Sequence, residues 1–118
     1  MSTAHRRISV SDSGDVAVVR FVDRKIVDES QVGELGAELF DLVDKEKRRA
    51  ILLNFSGVEF ISSAALGKLI TLDRRVKTAK ARMKLSDVCP EIMEVFEITK
   101  LSRMFDIRGS EAEALAAF

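Results

Sequence analysis

In this 118-residue sequence, the residues best placed for a chemical role are two adjacent serines, Ser62 and Ser63. They follow an apolar segment and precede a helical pattern whose first turn carries the small residues Ala64 and Ala65. The free N–H groups and the dipole at a helix N-terminus favour a bound phosphate or carboxylate. A phosphate on Ser63 would add about −1.5 to −2 charges to an exposed contact surface. The pattern therefore predicts a serine whose phosphorylation controls docking to a protein partner.

The same pair of serines has a simpler structural interpretation. Serine is among the most frequent residues at helix N-caps, because its hydroxyl accepts a hydrogen bond from a free backbone N–H of the first turn. Under this interpretation Ser62 is the N-cap of the following helix, and Ser63 is an ordinary residue of its first turn. On residue type and spacing alone, the capping and the phosphorylation interpretations both remain open.

The sequence lacks the other groups that a serine enzyme needs. Neither serine lies in a G-x-S-x-G elbow, and His5, the single histidine, belongs to a basic N-terminal segment. No G-x-x-x-x-G-K-[ST] loop for nucleotide phosphates is present. Cys89 is the single cysteine, so it has no partner for an internal disulfide or a cysteine metal site. We therefore predict a protein that is not an enzyme and that has no metal site or cofactor.

The charge balance argues against nucleic acid as the main partner. Lysine plus arginine and aspartate plus glutamate both total 19, whereas phosphate binding normally requires a basic excess. Two basic clusters, residues 45–49 and 74–77, are short, and we interpret them as solvated helix faces or helix ends. Tryptophan and tyrosine are absent, which removes the usual platforms for stacking bases.

The sequence also predicts a compartment. Its longest apolar run, residues 50–53, has the length of a strand and falls far short of the roughly 20 residues that cross a bilayer. Residues 1–7 are polar and basic and lack the apolar stretch of a signal peptide. Together with the lone cysteine, these features predict a cytoplasmic protein that does not insert into a membrane.

Strand and helix patterns alternate along the chain on both sides of the serines. Alternating or continuous apolar runs mark the strands, and apolar residues three or four apart mark the helices. In chain order the predicted elements are a β-hairpin (8–10 and 16–22, with its turn at 12–15), a helix from 28 to the basic run 45–49, a central strand (50–55), a helix after Ser63, a strand (83–88), a helix opened by Pro90, a strand (104–107) and a final helix from Ser110 to Phe118. This order predicts an α/β fold with a mixed β-sheet of four to five strands and about four helices.

Two local features sharpen this prediction. Asp28 or Ser30 is expected to cap the first long helix. Residues 50–55, an apolar run with one polar residue, are expected to be buried on both faces of the sheet. Because the chain shows no internal repeat and no linker, we predict one domain over residues 1–118, with residues 1–7 as a flexible tail.

From Ile8 to the last helix, this order of elements resembles the STAS domain, a family typified by bacterial anti-sigma factor antagonists. The residues that carry the likeness are the strand ILLNFSGVEFI and the SSAALG that follows it. In that family the strand leads to a D-S-[ST]-G-L-G turn whose first serine accepts a phosphate. The resemblance implies that Ser63 is the phosphoacceptor and that Leu66 and Gly67 are the leucine and glycine of the turn.

The resemblance also implies partners. Unphosphorylated antagonists of this family bind an anti-sigma factor that is itself a serine kinase, and this binding frees the sigma factor. Phosphorylation abolishes binding, and a metal-dependent protein phosphatase restores it. We expect the same of this chain, as a monomer or weak homodimer. The expected partner-binding residues lie in the serine turn, along its helix and in a neighbouring turn: Asp23, Arg24, Lys25, Ser62, Ser63, Ala64, Ala65, Leu66, Gly67 and Lys68.

The sequence departs from the family pattern at two points. Ser62 stands where the family has aspartate, and Ala64-Ala65 stands where it has Ser/Thr-Gly. The missing acid leaves Ser62 as an alternative acceptor of the phosphate. It also supports a second hypothesis, in which the chain is a STAS scaffold without phosphate control or a module that binds a small anion at the Ser63 helix N-terminus.

Overall fold

A mixed five-stranded β-sheet lies at the centre of the computed structural model, which describes residues 6–118. In chain order the elements are β1 (Ile8–Ser13), β2 (Val16–Phe21), β3 (Lys25–Ile26), α1 (Glu29–Asp44), β4 (Ala50–Asn54), β5 (Phe60–Ile61), α2 (Ser63–Thr78), β6 (Arg82–Ser86), α3 (Pro90–Ile98), a 3₁₀ turn (Leu101–Arg103), β7 (Asp106–Arg108) and α4 (Glu111–Ala116). The sheet has the order β1-β2-β4-β6-β7, and β3 pairs with β5 in a separate two-stranded ribbon. Within the described residues, the predicted α/β fold with a mixed sheet and four helices is confirmed.

The β1–β2 hairpin forms as predicted, with a tighter turn. Ser13 pairs with Val16, so only Gly14 and Asp15 connect the strands, and Asp12 lies within β1. Gly14 has φ +60°, a conformation that a type II′ hairpin turn requires at its first central residue and that glycine adopts without strain. The other neighbouring strand pairs of the five-stranded sheet are parallel.

Helix α1 begins with a capping box. The Asp28 side chain accepts a hydrogen bond from the Gln31 N–H, and the Gln31 side chain accepts one from the Asp28 N–H at 3.1 Å. The structure therefore selects Asp28 over Ser30 as the N-cap. The helix then buries one stripe of side chains at helical spacing: Val32, Leu35, Leu39, Leu42 and Val43.

The two faces of the sheet are covered unequally, and β4 shows this most clearly. Ile51 and Leu53 point into the large core that the first three helices cover. Ala50 and Leu52 point to the other face, where they pack with Ala114 of α4. All five residues of β4 are buried, which confirms the prediction of a central strand covered on both faces.

The last third of the chain differs from the prediction in its boundaries. Strand β6 ends at Ser86 instead of residue 88, because Asp87 adopts a left-handed conformation with φ +57°. The last strand is Asp106–Arg108 instead of residues 104–107. The 3₁₀ turn buries Leu101. The two residues after Arg103 differ, since Met104 is 40% exposed and Phe105 is buried in the core, and the chain becomes extended only after Phe105.

The final helix begins at its predicted cap but ends early. The Ser110 hydroxyl accepts a hydrogen bond from the Glu113 N–H at 3.2 Å, as a cap should. Helix α4 ends at Ala116 instead of Phe118. Phe118 instead places its ring near the Lys84 ammonium, 5.1 Å from the ring centroid.

Most of the predicted flexible tail, including His5, lies outside the described residues. Arg6 and Arg7 are described, and both are held: each backbone N–H donates to the Glu38 carboxylate at 3.0 Å. The Arg7 guanidinium also pairs with Glu34 at 2.9 Å and with Asp23 at 3.2 Å. The chain is therefore anchored to α1 from Arg6 onward.

The helices are those of a small globular domain. The longest, α1 and α2, have 16 residues each, and charged side chains line their exposed faces. Across residues 6–118, none of the helices has both the length and the apolar character that crossing a bilayer demands.

Candidate functional site

The two serines occupy different positions at the start of α2. Ser62 is the N-cap, and its hydroxyl accepts a hydrogen bond from the Ala65 N–H at 3.2 Å. Ser63 is the first helical residue and is exposed. The capping interpretation is thus confirmed for Ser62. Within residues 6–118 the Ser63 hydroxyl makes no side-chain hydrogen bond.

A short parallel ribbon positions the serine turn. Strand β5 pairs with β3, with Lys25 opposite Phe60 and Ile26 opposite Ile61. The Ser62 N–H continues this ladder by donating to the Ile26 carbonyl at 2.9 Å. Ile26 and Ile61 are buried and anchor the ribbon to the core. The two turns that the sequence analysis nominated separately are therefore joined by backbone hydrogen bonds.

The neighbouring turn of residues 23–25 is tied to the chain on both sides. The Arg24 carbonyl accepts a hydrogen bond from the Glu59 N–H at 2.7 Å, and the Arg24 and Glu59 side chains form an exposed ion pair at 2.8 Å. Asp23 is half-buried against Arg7. Hydrogen bonds from Arg7 to Glu34 and then to Asp23 raise the pKa of the Arg7 guanidinium above its ordinary value.

The apolar part of this surface was missed by the sequence analysis. Phe60, which pairs with Lys25 in the ribbon, is 52% exposed, and Val27, which directly follows β3, is 49% exposed. In a two-residue strand, adjacent apolar side chains point to opposite faces, so Phe60 faces solvent because Ile61 faces the core. The adjacent apolar residues Phe60 and Ile61 were the sequence signal for an exposed apolar side chain. Both residues of a two-residue strand are buried only when both faces of that strand are covered.

The predicted contact residues of α2 divide into exposed and buried ones. Ala64 and Gly67 are exposed beside Ser63, whereas Ala65 and Leu66 are buried at 1% and 8% exposure. The buried pair packs in the core and fixes the position of the turn, so it offers no surface for docking. Lys68 is half-buried because its side chain lies over α1.

The N-terminus of α2 can accept a negative group. The first intrahelical hydrogen bond runs from the Leu66 N–H to the Ser62 carbonyl, and the Ala65 N–H is used by the Ser62 hydroxyl. The N–H groups of Ser63 and Ala64 precede these bonds and point out of the helix end. A phosphate on Ser63 would lie at the positive end of the helix dipole, where it is locally favoured while the surface becomes anionic.

Comparison with known proteins places this arrangement in a family. The family model of the STAS domain matches residues 7–114. BtrV of Bordetella bronchiseptica, named as a candidate anti-sigma factor antagonist, is 31% identical over 93 residues, which cover 79% of each chain.

Solved structures show the same fold. An anti-sigma-factor antagonist (STAS) domain protein from Planctomyces limnophilus is 25% identical, has a TM-score of 0.83, and matches over 97% of this chain and 98% of its own. The Bacillus cell fate determinant SpoIIAA in its phosphorylated form is 19% identical, has a TM-score of 0.70, and matches over 93% and 97% of the two chains. The family match and the shared architecture agree: this chain belongs to the STAS domain family.

Proposed function

We propose that this STAS domain is an anti-sigma factor antagonist whose docking to an anti-sigma factor serine kinase is controlled by phosphorylation of Ser63. The observation that carries the proposal is the exposed Ser63 at the N-terminus of α2, next to Ser62, whose N–H bonds to Ile26 directly after the 23–25 turn. The resemblance of the turn to the family motif and the name of the Bordetella relative support the antagonist role.

The proposed docking surface has an apolar centre and a charged rim. Phe60 and Val27 form the centre, and burying a large apolar side chain contributes about 1.5–3 kcal/mol. The remaining members are exposed or half-buried residues of the two turns and of α2: Asp23, Arg24, Lys25, Ser62, Ser63, Ala64, Gly67 and Lys68.

Phosphorylation would act on this surface through charge and hydration. A phosphate adds about −1.5 to −2 charges and a strongly hydrated group at the edge of the apolar centre. A partner that fits closely against Ser63 would have to remove this hydration or meet the new charge, and both weaken docking. Removal of the phosphate by a protein phosphatase would restore the unmodified surface. The role therefore needs no catalysis by the domain itself.

The remaining parts of the proposal concern the state of the protein in the cell. We propose a single domain that works in the cytoplasm as a monomer or weak homodimer, without cofactor and without nucleic acid as a partner. The neutral formal charge supports the last point.

The modification is tested on the protein from its own cells. Intact mass and fragment mapping are compared between growth and stress. We expect one phosphate on Ser63 whose occupancy changes between the two conditions. A phosphate found on Ser62 would move the acceptor by one residue, and the absence of phosphate in every condition would contradict the switch.

The effect on docking is tested with the partner kinase, once it has been identified by co-purification with the unmodified domain. Ser63→Asp is expected to weaken affinity about tenfold or more, since about 1.4 kcal/mol suffices for a factor of ten. Ser11→Asp is the matched control, because Ser11 is an exposed serine on the edge strand β1. Equal affinities of the two variants would contradict the phosphate-controlled surface.

A second candidate function is a STAS scaffold that docks without phosphate control or binds a small anion. It is favoured by one observation: the residue in place of the family's aspartate, Ser62, uses its hydroxyl for helix capping. Under this alternative, the protein carries no phosphate in any condition, and Ser63→Asp docks no more weakly than the Ser11→Asp control.

A further inference from the structure

The two basic clusters of the sequence meet at one end of the molecule, which we call the basic end. A cleft of about 810 Å³ lies where the β1–β2 hairpin turn and the starts of β4 and β6 approach the end of α1. A second cleft, of about 460 Å³, lies between the C-terminal ends of α1 and α2. Lys47 lines both clefts, so the two are adjacent, and we refer to them together as the groove of the basic end.

This groove has a local excess of positive charge. Seven cationic side chains line it against four carboxylates, an excess of three, whereas the whole chain has a formal charge of zero. The cations are Lys47, Arg48, Arg49, Arg74, Arg75, Lys80 and Arg82. The carboxylates are Asp12, Asp15, Asp44 and Glu46.

Most of this positive charge is not neutralised inside the domain. Arg48 pairs with Asp12 at 2.7 Å and with Glu46 at 3.4 Å, and Arg75 pairs with Asp44. The remaining basic side chains of the groove have no ion pair within residues 6–118: Lys47, Arg49, Arg74, Lys80 and Arg82. Folding therefore places around the two clefts five cations that have no anionic partner among the described residues.

Helix dipoles explain only some of the unpaired cations at the basic end. Cations are favoured at helix C-termini, which suits Lys80, the residue after the C-cap of α2. Arg49 and Arg82, however, lie at the starts of β4 and β6, where no helix end requires a positive charge. Arg82 extends over the Phe118 ring, with 5.6 Å between its guanidinium carbon and the ring centroid.

We propose that the basic end docks an extended acidic segment of a partner polypeptide. The unpaired cations are distributed along a groove that crosses two helix ends, which suits a chain with separated carboxylates. The formal charge of the whole chain is zero, whereas binding to the continuous phosphates of a nucleic acid normally requires a basic excess. The groove also lies at the opposite end of the 16-residue α2 from Ser63, a distance of about 24 Å at 1.5 Å per residue. It is therefore a contact separate from the proposed switch surface.

The test uses the complete chain and a fluorescein-labelled octaglutamate peptide at low ionic strength. Anisotropy is expected to report saturable binding that weakens as salt is added, because exposed charges are screened. Amide chemical shifts are expected to change around residues 47, 49, 74 and 80. The double variant Lys47→Gln with Arg74→Gln is expected to bind at least tenfold more weakly.

The matched control removes the same charge elsewhere. Lys100 and Arg103 are exposed and have no ion pair within the described residues, so Lys100→Gln with Arg103→Gln should change affinity less than twofold. Ser63→Asp should leave peptide binding unchanged, which separates this proposal from the switch. Three results would overturn it: no binding at low salt, equal weakening by both double variants, or tighter binding of an eight-nucleotide single-stranded DNA.

Discussion

The side chain of Lys68 lies directly over Gly36, so that a methyl group at Gly36 would come within 2.8 Å of Lys68 Cδ. The contact joins α2 to α1 next to the proposed docking surface. The Lys68 ammonium continues over α1 to a point 5.9 Å from the centroid of the Phe40 ring. The absence of a side chain at residue 36 thus sets the direction of a lysine that the sequence analysis assigned to partner binding.

Two glycines of α1 provide a matched test of this contact. Gly33→Ala adds a methyl group in open space and should stabilise the domain by about 0.5–1 kcal/mol, since alanine favours the helix over glycine. Gly36→Ala should stabilise by less or not at all, because Lys68 has to move. The free energy of unfolding from urea titrations measures both changes. Equal gains would show that Lys68 does not occupy this position.

The two serines should differ in their contribution to stability. Ser62→Ala removes the hydrogen bond to the Ala65 N–H and should cost about 1 kcal/mol, as for other lost N-caps. Ser63→Ala changes an exposed residue and should stay within about 0.5 kcal/mol. Thermal unfolding of the two variants measures the difference. A larger loss from Ser63→Ala would contradict the assignment of Ser62 as the cap.

The edge strand β7 should make stability depend on pH. Hydrogen bonds from Arg108 at 2.8 Å and then from Lys84 at 2.6 Å hold the pKa of Asp106 below its ordinary value of 3.8. A lowered pKa stabilises the folded state above pH 3.8, and this contribution is lost as the pH falls through the folded-state pKa. Asp106→Asn should therefore be less stable than the unchanged chain near neutral pH.

Urea unfolding of both proteins between neutral pH and pH 3 checks this prediction. The difference in unfolding free energy between the two proteins should shrink as the pH falls below the ordinary pKa of aspartate. A constant difference across this range would mean that Asp106 has the same pKa in the folded and unfolded states.

Lys80 follows the C-cap of α2 with φ +58°, a left-handed conformation that glycine usually supplies at this position. Lys80→Gly should therefore stabilise the domain by about 0.5–1 kcal/mol, because it removes the strain at Cβ. Arg74→Gly is the opposite control, since glycine within α2 should cost about 1 kcal/mol. Urea titration measures the unfolding free energy of both variants. A loss of stability in Lys80→Gly would show that the left-handed backbone at Lys80 is not strained.

Most of the fold could be predicted because its signals are local. The hairpin, the Asp28 and Ser110 caps, the buried stripe of α1 and the doubly covered β4 all follow from residue type at short spacing. The β3–β5 ribbon could not be predicted in this way. Each strand has two residues, and the pairing joins segments that are 35 residues apart in sequence, as Lys25 and Phe60 show.

The sequence predicted where the candidate site lies but not which of its residues are exposed. The motif at Ser63 and the turn at residues 23–25 were identified, and the structure joins them through the backbone hydrogen bonds of the β3–β5 ribbon. Ala65 and Leu66 were included although they are buried, because a motif does not reveal which of its residues support the turn. Phe60 was missed because its exposure depends on what covers each face of a short strand.

The ribbon between β3 and β5 has a consequence for the energetics and rate of association. Backbone hydrogen bonds from Glu59 to Arg24 and from Ser62 to Ile26 fix the two turns relative to each other before any partner arrives. Docking then has to order side chains but few backbone torsions. The loss of conformational entropy on binding is therefore small. A preorganised surface of this kind binds without a folding step, and its association rate is set by diffusion and by the orientation of the two proteins.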